Sequence, residues 1–382
     1  MNDSLNQPKT TLQYDVVILG GGPAGAATAL ALRRHAPALR LALVERSDYT
    51  EMRIGETLPP IVQPLLERLG VWEAFVRQEH LPAYGTCSAW GSDELFEHEF
   101  IYHSYSRGWH LDRRRFDAML AHQAERAGAD LHLGASVLSA RIHDGGWRLA
   151  LRSQQGRISA VETAFVVDAT GRRATFAQKQ GARRVCFDRL LGAFVFFSRA
   201  GAPLADTYAL VEAAEDGWWY SAALPDAGLV VACMGDADHM KQQDWRSPAQ
   251  WRAQVRTTRH TLPRLAQAEP RTPPRLYAAH SQRLDTIAGV GWLAVGDAAA
   301  TFDPLSSQGI FKALRSGILA AYAIGDYFNG VHAGLARYEA WIAQEFEAYL
   351  DTRRDYYGRE RRWADSPFWR RRHAPITLDP RQ

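Results

Sequence analysis

Gly20-Gly21-Gly22-Pro23-Ala24-Gly25 stands between two segments of opposite texture. Before it, Tyr14 to Gly20 is a short β-branched run ending in glycine, as expected of a strand buried on both faces of a parallel sheet. After it, Ala24 to His35 is rich in Ala and Leu with no breaker and reads as a helix. Arg40 to Glu45 is again apolar and strand-like, so the chain opens with one βαβ unit. In such a unit Gly20 permits the tight turn, Gly22 lets the backbone approach a pyrophosphate, and Gly25 lets helix and strand pack closely. Glu45 follows Gly25 by twenty residues and ends the second strand, where a carboxylate accepts hydrogen bonds from a ribose diol. Pro23 and Ala24 within the turn, and Arg46 beside Glu45, are expected to share in the same contact.

The turn alone does not separate a nicotinamide from a flavin dinucleotide. A second motif does. Gly296-Asp297-Ala298-Ala299 follows the buried strand Gly291 to Val295 and continues into Asp303-Pro304-Leu305-Ser306-Ser307-Gln308-Gly309-Ile310. A carboxylate just after a strand, Asp297, can bond the ribityl hydroxyls of a flavin. Pro304 and Gly309 then shape a loop that feeds the long apolar helix Ile310 to Tyr327. The free N–H groups and positive end of that helix suit the flavin N1–C2 carbonyl region, where negative charge gathers on reduction. FAD is the expected cofactor.

The remaining chain fits an α/β fold, α+β in its entirety, in which a Rossmann-like FAD-binding domain carries an inserted antiparallel-sheet substrate domain and C-terminal helices. We place the FAD-binding domain at 1–85, 107–183 and 276–330, the substrate domain at 86–106 and 184–275, and the helical region at 331–382. Within these, Trp109 to Gly128 and Trp245 to Leu262 each read as one helix, and Leu191 to Phe197, Trp218 to Ala223 and Leu229 to Cys233 as strands. The 382 residues, 46% apolar, support a large core without staples. A net charge of +3 gives no reason to expect a nucleic-acid partner. Cys87, Cys186 and Cys233 are scattered, which suggests neither a metal site nor a disulfide framework. Met1 to Gln13 lacks a basic, then apolar, signal pattern and no stretch is fit to span a membrane, so a cytoplasmic protein is expected.

Together, Gly20–Gly25, Glu45, Asp168-Ala169-Thr170-Gly171 and Gly296–Ile310 resemble the flavin monooxygenase superfamily of aromatic hydroxylases, flavin halogenases and geranylgeranyl reductases. The resemblance spans almost the whole chain. It implies that Arg113 lies near the flavin pyrophosphate, that Val137 offers its backbone to the adenine, and that Gly171 belongs to the cofactor site. Arg53-Ile54-Gly55-Glu56-Thr57-Leu58-Pro59-Pro60 resembles the Gly-Glu loop beside the flavin in halogenases, which brings Arg53, Ile54 and Gly55 to the cofactor. Halogenation itself is disfavoured. No lysine occurs between Lys9 and Lys179 to relay hypohalous acid, and the halogenase Trp-x-Trp-x-Ile-Pro segment is altered to Gly217-Trp218-Trp219-Tyr220-Ser221-Ala222-Ala223-Leu224-Pro225.

Hydroxylation remains, by a flavin C4a-hydroperoxide formed with O2 and delivered to an electron-rich ring in a dry pocket. Trp218, Trp219 and Tyr220 are candidate pocket walls, and Glu56 and His110 candidate acid–base residues. Thr170 replaces the Asp by which phenol hydroxylases serve NAD(P)H, so an external reductant is an alternative to NAD(P)H. The segment Tyr356 to Arg372, with Arg53–Pro60, is similar to the flavoproteins that mature tryptophylquinone enzymes. That similarity implies a protein substrate, a tryptophan of a partner oxidase or dehydrogenase subunit. Its arginines either shape a docking surface for an acidic partner or point outward from a helix packed through Trp363, Phe368 and Trp369. A small-molecule hydroxylase, an alkene reductase and a non-catalytic maturation chaperone stay open beside this reading.

Overall fold

The computed structural model describes residues 11–199, 206–331 and 333–375. Thr11–Leu19 is the middle strand of a parallel array, flanked by Leu41–Glu45 and Ile158–Asp168, with Asp130–Leu133 and Trp292–Ala294 outside them. Val16, Val17 and Ile18 are fully buried, as a strand covered on both faces requires. The helices Pro23–His35 and Gly309–Phe328 lie against each other, closely enough that a Cβ on Gly317 would come within 2.6 Å of the Ala24 carbonyl oxygen. Small residues at that contact let the two helices that begin at the two motifs sit side by side.

The second large sheet runs in the order Leu190–Arg199, Gly228–Asp236, Gly217–Leu224, Ala209–Ala214, Gly85–Ala89 and Phe96–Glu99. It is antiparallel except where Ala209–Ala214 meets Gly85–Ala89. Arg275–Ala278 joins this sheet, whereas Arg184–Cys186 pairs with Gln282–Leu284 in a small sheet.

Two expected helices differ in extent. The one expected over Trp109 to Gly128 begins only at Arg113, capped by Asp112, which accepts from the Arg114 N–H at 2.9 Å. Its supposed first turn, Gly108–His110, is instead a strand held between Thr57–Leu58 and Leu81–Ala83. The Trp245 to Leu262 stretch breaks into Pro248–Val255 and Thr261–Arg264. Ser247-Pro248 is a strong start signal, and the buried Glu212 carboxylate draws the backbone N–H groups of Arg259, His260 and Thr261 to itself at 2.6, 3.1 and 2.7 Å. The C-terminal region is two helices, Ala333–Arg359 and Pro367–His373. Among the described residues no helix is long and apolar enough to cross a membrane.

Candidate cofactor and active site

At the N-terminal motif, Gly20 has φ +114°, a conformation that other residues rarely adopt. Glu45 closes the turn: its carboxylate accepts from the Gly21 N–H at 2.7 Å and from the Ser47 hydroxyl at 2.6 Å. Tyr49 donates to the Gly21 carbonyl at 2.8 Å. Arg53 reaches from the following loop to Asp117 at 2.9 Å and to Ser47 Oγ at 2.5 Å. Arg46 is exposed beside this cluster, and Val137 lies half-buried in the Ser136–His143 strand opposite Leu151.

The glycines divide into two kinds. A Cβ at Gly20, Gly21 or Gly25 would strike the Ala169 carbonyl, the Tyr49 hydroxyl or the Gly20 carbonyl within 2.3 Å. A Cβ at Gly22, Gly171 or Gly309 would meet nothing within 4 Å. The first set permits the packing and the second borders open space, where a side chain would intrude on a dinucleotide. Arg172 adds a buried Nε without a partner at this border. These residues fit FAD.

At the second motif, Asp297 is met by Lys312, whose ammonium lies 2.8 Å from it and also donates to the Ala300 carbonyl. Burial works against the Asp297 charge, but the Lys312 ammonium and the Arg172 guanidinium outweigh it and hold its carboxyl below the usual carboxylate range. The next loop is anchored from the C-terminal helix. Asp303 caps Pro304–Ser306 through the Leu305 N–H at 3.0 Å and accepts from the Tyr357 hydroxyl at 2.8 Å, with Arg353 at 3.4 Å. Gly309 and Ile310 begin the long helix directly after it. Sequence reasoning missed Lys312, Arg172 and Tyr357. Lys312 left a trace, as a single lysine inside an apolar helix of a chain with only four.

The Gly-Glu loop is fixed by Arg113. Its guanidinium makes two 3.0 Å bonds to Asp117 and donates to the Ile54 and Gly55 carbonyls at 2.7 and 3.0 Å. Gly55 accordingly sits at φ +87°, and Glu56 turns inward, only 3% exposed. Burial raises its pKa, although the Tyr220 hydroxyl beside it and the more distant Arg113 act in the other direction. Tyr220 lies 2.6 Å from Thr57 Oγ1, and Thr57 lies 3.4 Å from His110 Nδ1 across the strand pair.

His110 is fully buried, and burial pushes its pKa down to about 4. Its Nε2 is 2.7 Å from the Thr207 carbonyl, which can only accept, so Nε2 carries the proton and Nδ1 is an acceptor. The hydroxyls of Tyr220 and Thr57 thus link Glu56 to His110 Nδ1. His110 is therefore the closed end of this chain and Glu56 its end toward the cleft between the two sheets, whose walls include Met52, Arg53, Leu111, Phe196 and Leu224.

The three aromatics expected as pocket walls separate. Strand alternation sends Trp219 to the far face, where it packs on Met240, Trp245 and Trp251. Trp218 faces the site side but is sealed in the core, its Nε1 donating to the Tyr357 hydroxyl at 3.0 Å. Only Tyr220 reaches the site. The tail differs likewise from an outward-facing arginine helix. Phe368 and Trp369 are buried as expected, but Arg372 is buried with them on Asp236 at 2.8 Å, and Arg371 binds Asp236 and Asp238. Arg362 pairs with Glu360 and Asp93, which leaves Arg359, Arg361 and Arg370 facing solvent. Thr170 is committed to Asp168, donating to it at 2.6 Å.

Residues 13–350 match the family model described as FAD binding domain. A Marinomonas mediterranea protein, LodB, classed by name as an FAD-dependent oxidoreductase, is 30% identical over 364 residues, covering 94% of this chain and 97% of that one. Among solved structures, a peptidyl tryptophan dihydroxylase essential for tryptophylquinone cofactor biogenesis, QhpG, is 28% identical with TM-score 0.71, covering 94% of this chain and 78% of that one. The myxobacterial chondrochloren halogenase has TM-score 0.88 at 24% identity, covering 96% of this chain and 87% of that one, a likeness of fold.

Proposed function

Since the chain belongs to the FAD-binding-domain family and is an FAD-dependent oxidoreductase related to LodB and QhpG, we propose that it is a monooxygenase that hydroxylates an aromatic ring, a tryptophan carried on a partner polypeptide. The observation that carries this reading is the proton-bearing set at the cleft. Glu56 lines it with the Tyr220 hydroxyl beside it, and the Gly85–Ala89 strand, where a relay lysine is sought by resemblance, holds Thr86, Cys87 and Ser88 instead. A carboxyl whose pKa burial raises, beside a phenol, suits oxygen transfer and not halogen relay.

When bound and reduced, FAD supplies the electrons that activate O2. The chain's own groups do the rest. Arg113 fixes the loop that presents Glu56. Glu56, its pKa raised by burial, is the group that would hold a proton for the oxygen that leaves as water, and Tyr220 and Thr57 would orient that carboxyl. The sheet face above is filled by Tyr357, Phe368 and Trp369 of the same chain, which favours a ring inserted from outside over a small molecule enclosed by the fold. Thr170, already engaged by Asp168, favours a separate reductant over direct NAD(P)H reduction. Similarity to QhpG supports the polypeptide tryptophan. The deciding experiment supplies purified protein with a flavin reductant, O2 and an unmodified partner subunit, then maps oxygen addition by peptide mass. Oxygen on tryptophan, dependent on FAD, is the expected result; an unmodified subunit, or oxidation elsewhere, rejects the reading.

A further inference from the structure

Phe96–Glu99 is the last strand of the antiparallel sheet, and all four of its residues are exposed. One side pairs with Gly85–Ala89. The Phe100 N–H donates to the Tyr84 carbonyl at 2.8 Å, and alternation along an antiparallel pair then turns the backbone groups of Glu97 and Glu99 outward. Proteins usually blunt such an edge with Lys, Pro or a cover. This one is short and carries the charges of Glu97 and Glu99, with no Lys or Pro in it. Apolar groups stand exposed beside those charges: Phe96 is 72% exposed, Ile101 66% and Tyr102 91%.

The charge of the edge is specific. Glu97 and Glu99 project to one face, opposite Cys87 and Gly85, and Glu94 precedes them; none of the three has an ion pair among the described residues. In a chain of net charge +3 this is a local acidic strip. Two copies meeting edge to edge would set these glutamates against each other, which opposes self-pairing. The strand is also continuous with the site. Residues 100–107 lead from it past an open cleft bounded by Trp72, Tyr84 and Tyr105 into Gly108–His110, the strand that carries His110.

We propose that the Phe96–Glu99 edge receives an extended, Lys/Arg-bearing segment of the partner polypeptide by strand addition, with Glu97 and Glu99 selecting its charge and the neighbouring aromatics covering its apolar side chains. The partner invoked is that of the polypeptide reading above, on which this rests, but docking is measurable without turnover. The probes are two labelled peptides, one alternating Lys with Thr and one alternating Glu with Thr, titrated onto FAD-loaded protein by fluorescence anisotropy, with amide exchange followed over residues 94–102.

The Lys peptide is expected to bind and to slow exchange at Glu97 and Glu99, and the Glu peptide to do neither. The double variant Glu97→Lys/Glu99→Lys should weaken the Lys peptide by roughly 10-fold or more and admit the Glu peptide. Glu97→Pro, which removes an outward N–H that the sheet does not use, should weaken it with flavin absorbance unchanged. Equal binding of both peptides, protection elsewhere, or a doubling of mass through this edge in place of peptide binding would overturn the proposal. Peptide binding as described, with no oxygen transferred to a partner tryptophan, would instead remove the oxygenase reading and leave the docking edge standing.

Discussion

Lys312 Nζ lies 2.8 Å from Asp297 Oδ1, and the ammonium is the hidden partner, its side chain 3% exposed against 40% for the carboxylate. The sequence motif names Asp297, yet the group that sets its charge and aim is fifteen residues further on, a turn inside the next helix. Among the described residues nothing is hydrogen-bonded to the second carboxylate oxygen, which can take a hydroxyl donor.

Asp297→Ala should therefore weaken FAD by ~10–100-fold, the loss of a charge-assisted bond of roughly 1.5–3 kcal/mol. It should also lower the melting temperature of the apoprotein, because Lys312 is left buried without its counter-ion. Adding Lys312→Met should restore the melting temperature but not the affinity. Flavin titration and calorimetry separate the two; recovery of both together would show that Asp297 serves only the lysine.

Glu56 has its pKa raised by burial, so its proton is present at low pH and lost as pH rises through the elevated value. Oxygen transfer should fall on that alkaline limb, and Glu56→Gln should lower the rate and flatten the limb. Stability carries the same sign: a carboxyl raised in the folded state contributes most below the unfolded pKa and loses that contribution as pH rises. Tyr220→Phe should displace the limb without abolishing FAD binding. A profile unchanged in both variants would remove Glu56 and Tyr220 from the reaction.

Incubation with reduced FAD, O2, bromide and free tryptophan should give no bromotryptophan, since Thr86, Cys87 and Ser88 cannot replace a relay amine. The product is read by mass, and a bromine isotope pair on tryptophan would refute it.

The C-terminal arginines should divide sharply. Arg372→Glu sets a second carboxylate beside buried Asp236 and should cost about 3 kcal/mol or more, enough to lose soluble holoprotein. Arg370→Glu, on the solvent side, should change the unfolding free energy by less than about 0.5 kcal/mol. Urea unfolding followed by flavin fluorescence measures both.

The features legible in the sequence were those set by local geometry. Gly20 to Gly25, the strand ending at Glu45 and the helix starting at Gly309 each depend on neighbours within a turn or two, and they stand where spacing puts them. Period-two alternation was also available for Gly217–Leu224, and it separates Trp219 from Trp218 and Tyr220 across the sheet. Treating the three as one cluster overlooked that. What could not be read is long-range pairing. Tyr357 meets Asp303, Arg372 meets Asp236, and Glu212 gathers the Arg259–Thr261 backbone, in each case across intervening elements. Such contacts leave no periodic trace in either partner. His110 illustrates the limit, because nothing adjacent to it reveals that its Nε2–H donates to the Thr207 carbonyl.

The hydrogen bond from Tyr357 to Asp303 has a consequence for the order in which the site is assembled. The turn at Gly20 closes on Glu45 and Tyr49, its near neighbours in sequence, whereas the loop at Asp303 is tethered by Tyr349, Arg353 and Tyr357 of the helix Ala333–Arg359. The first βαβ unit can thus close on local contacts alone, while the second half of the flavin cradle waits for that helix to dock. A variant without Tyr357 is expected to keep the Gly20 turn and to hold FAD more weakly.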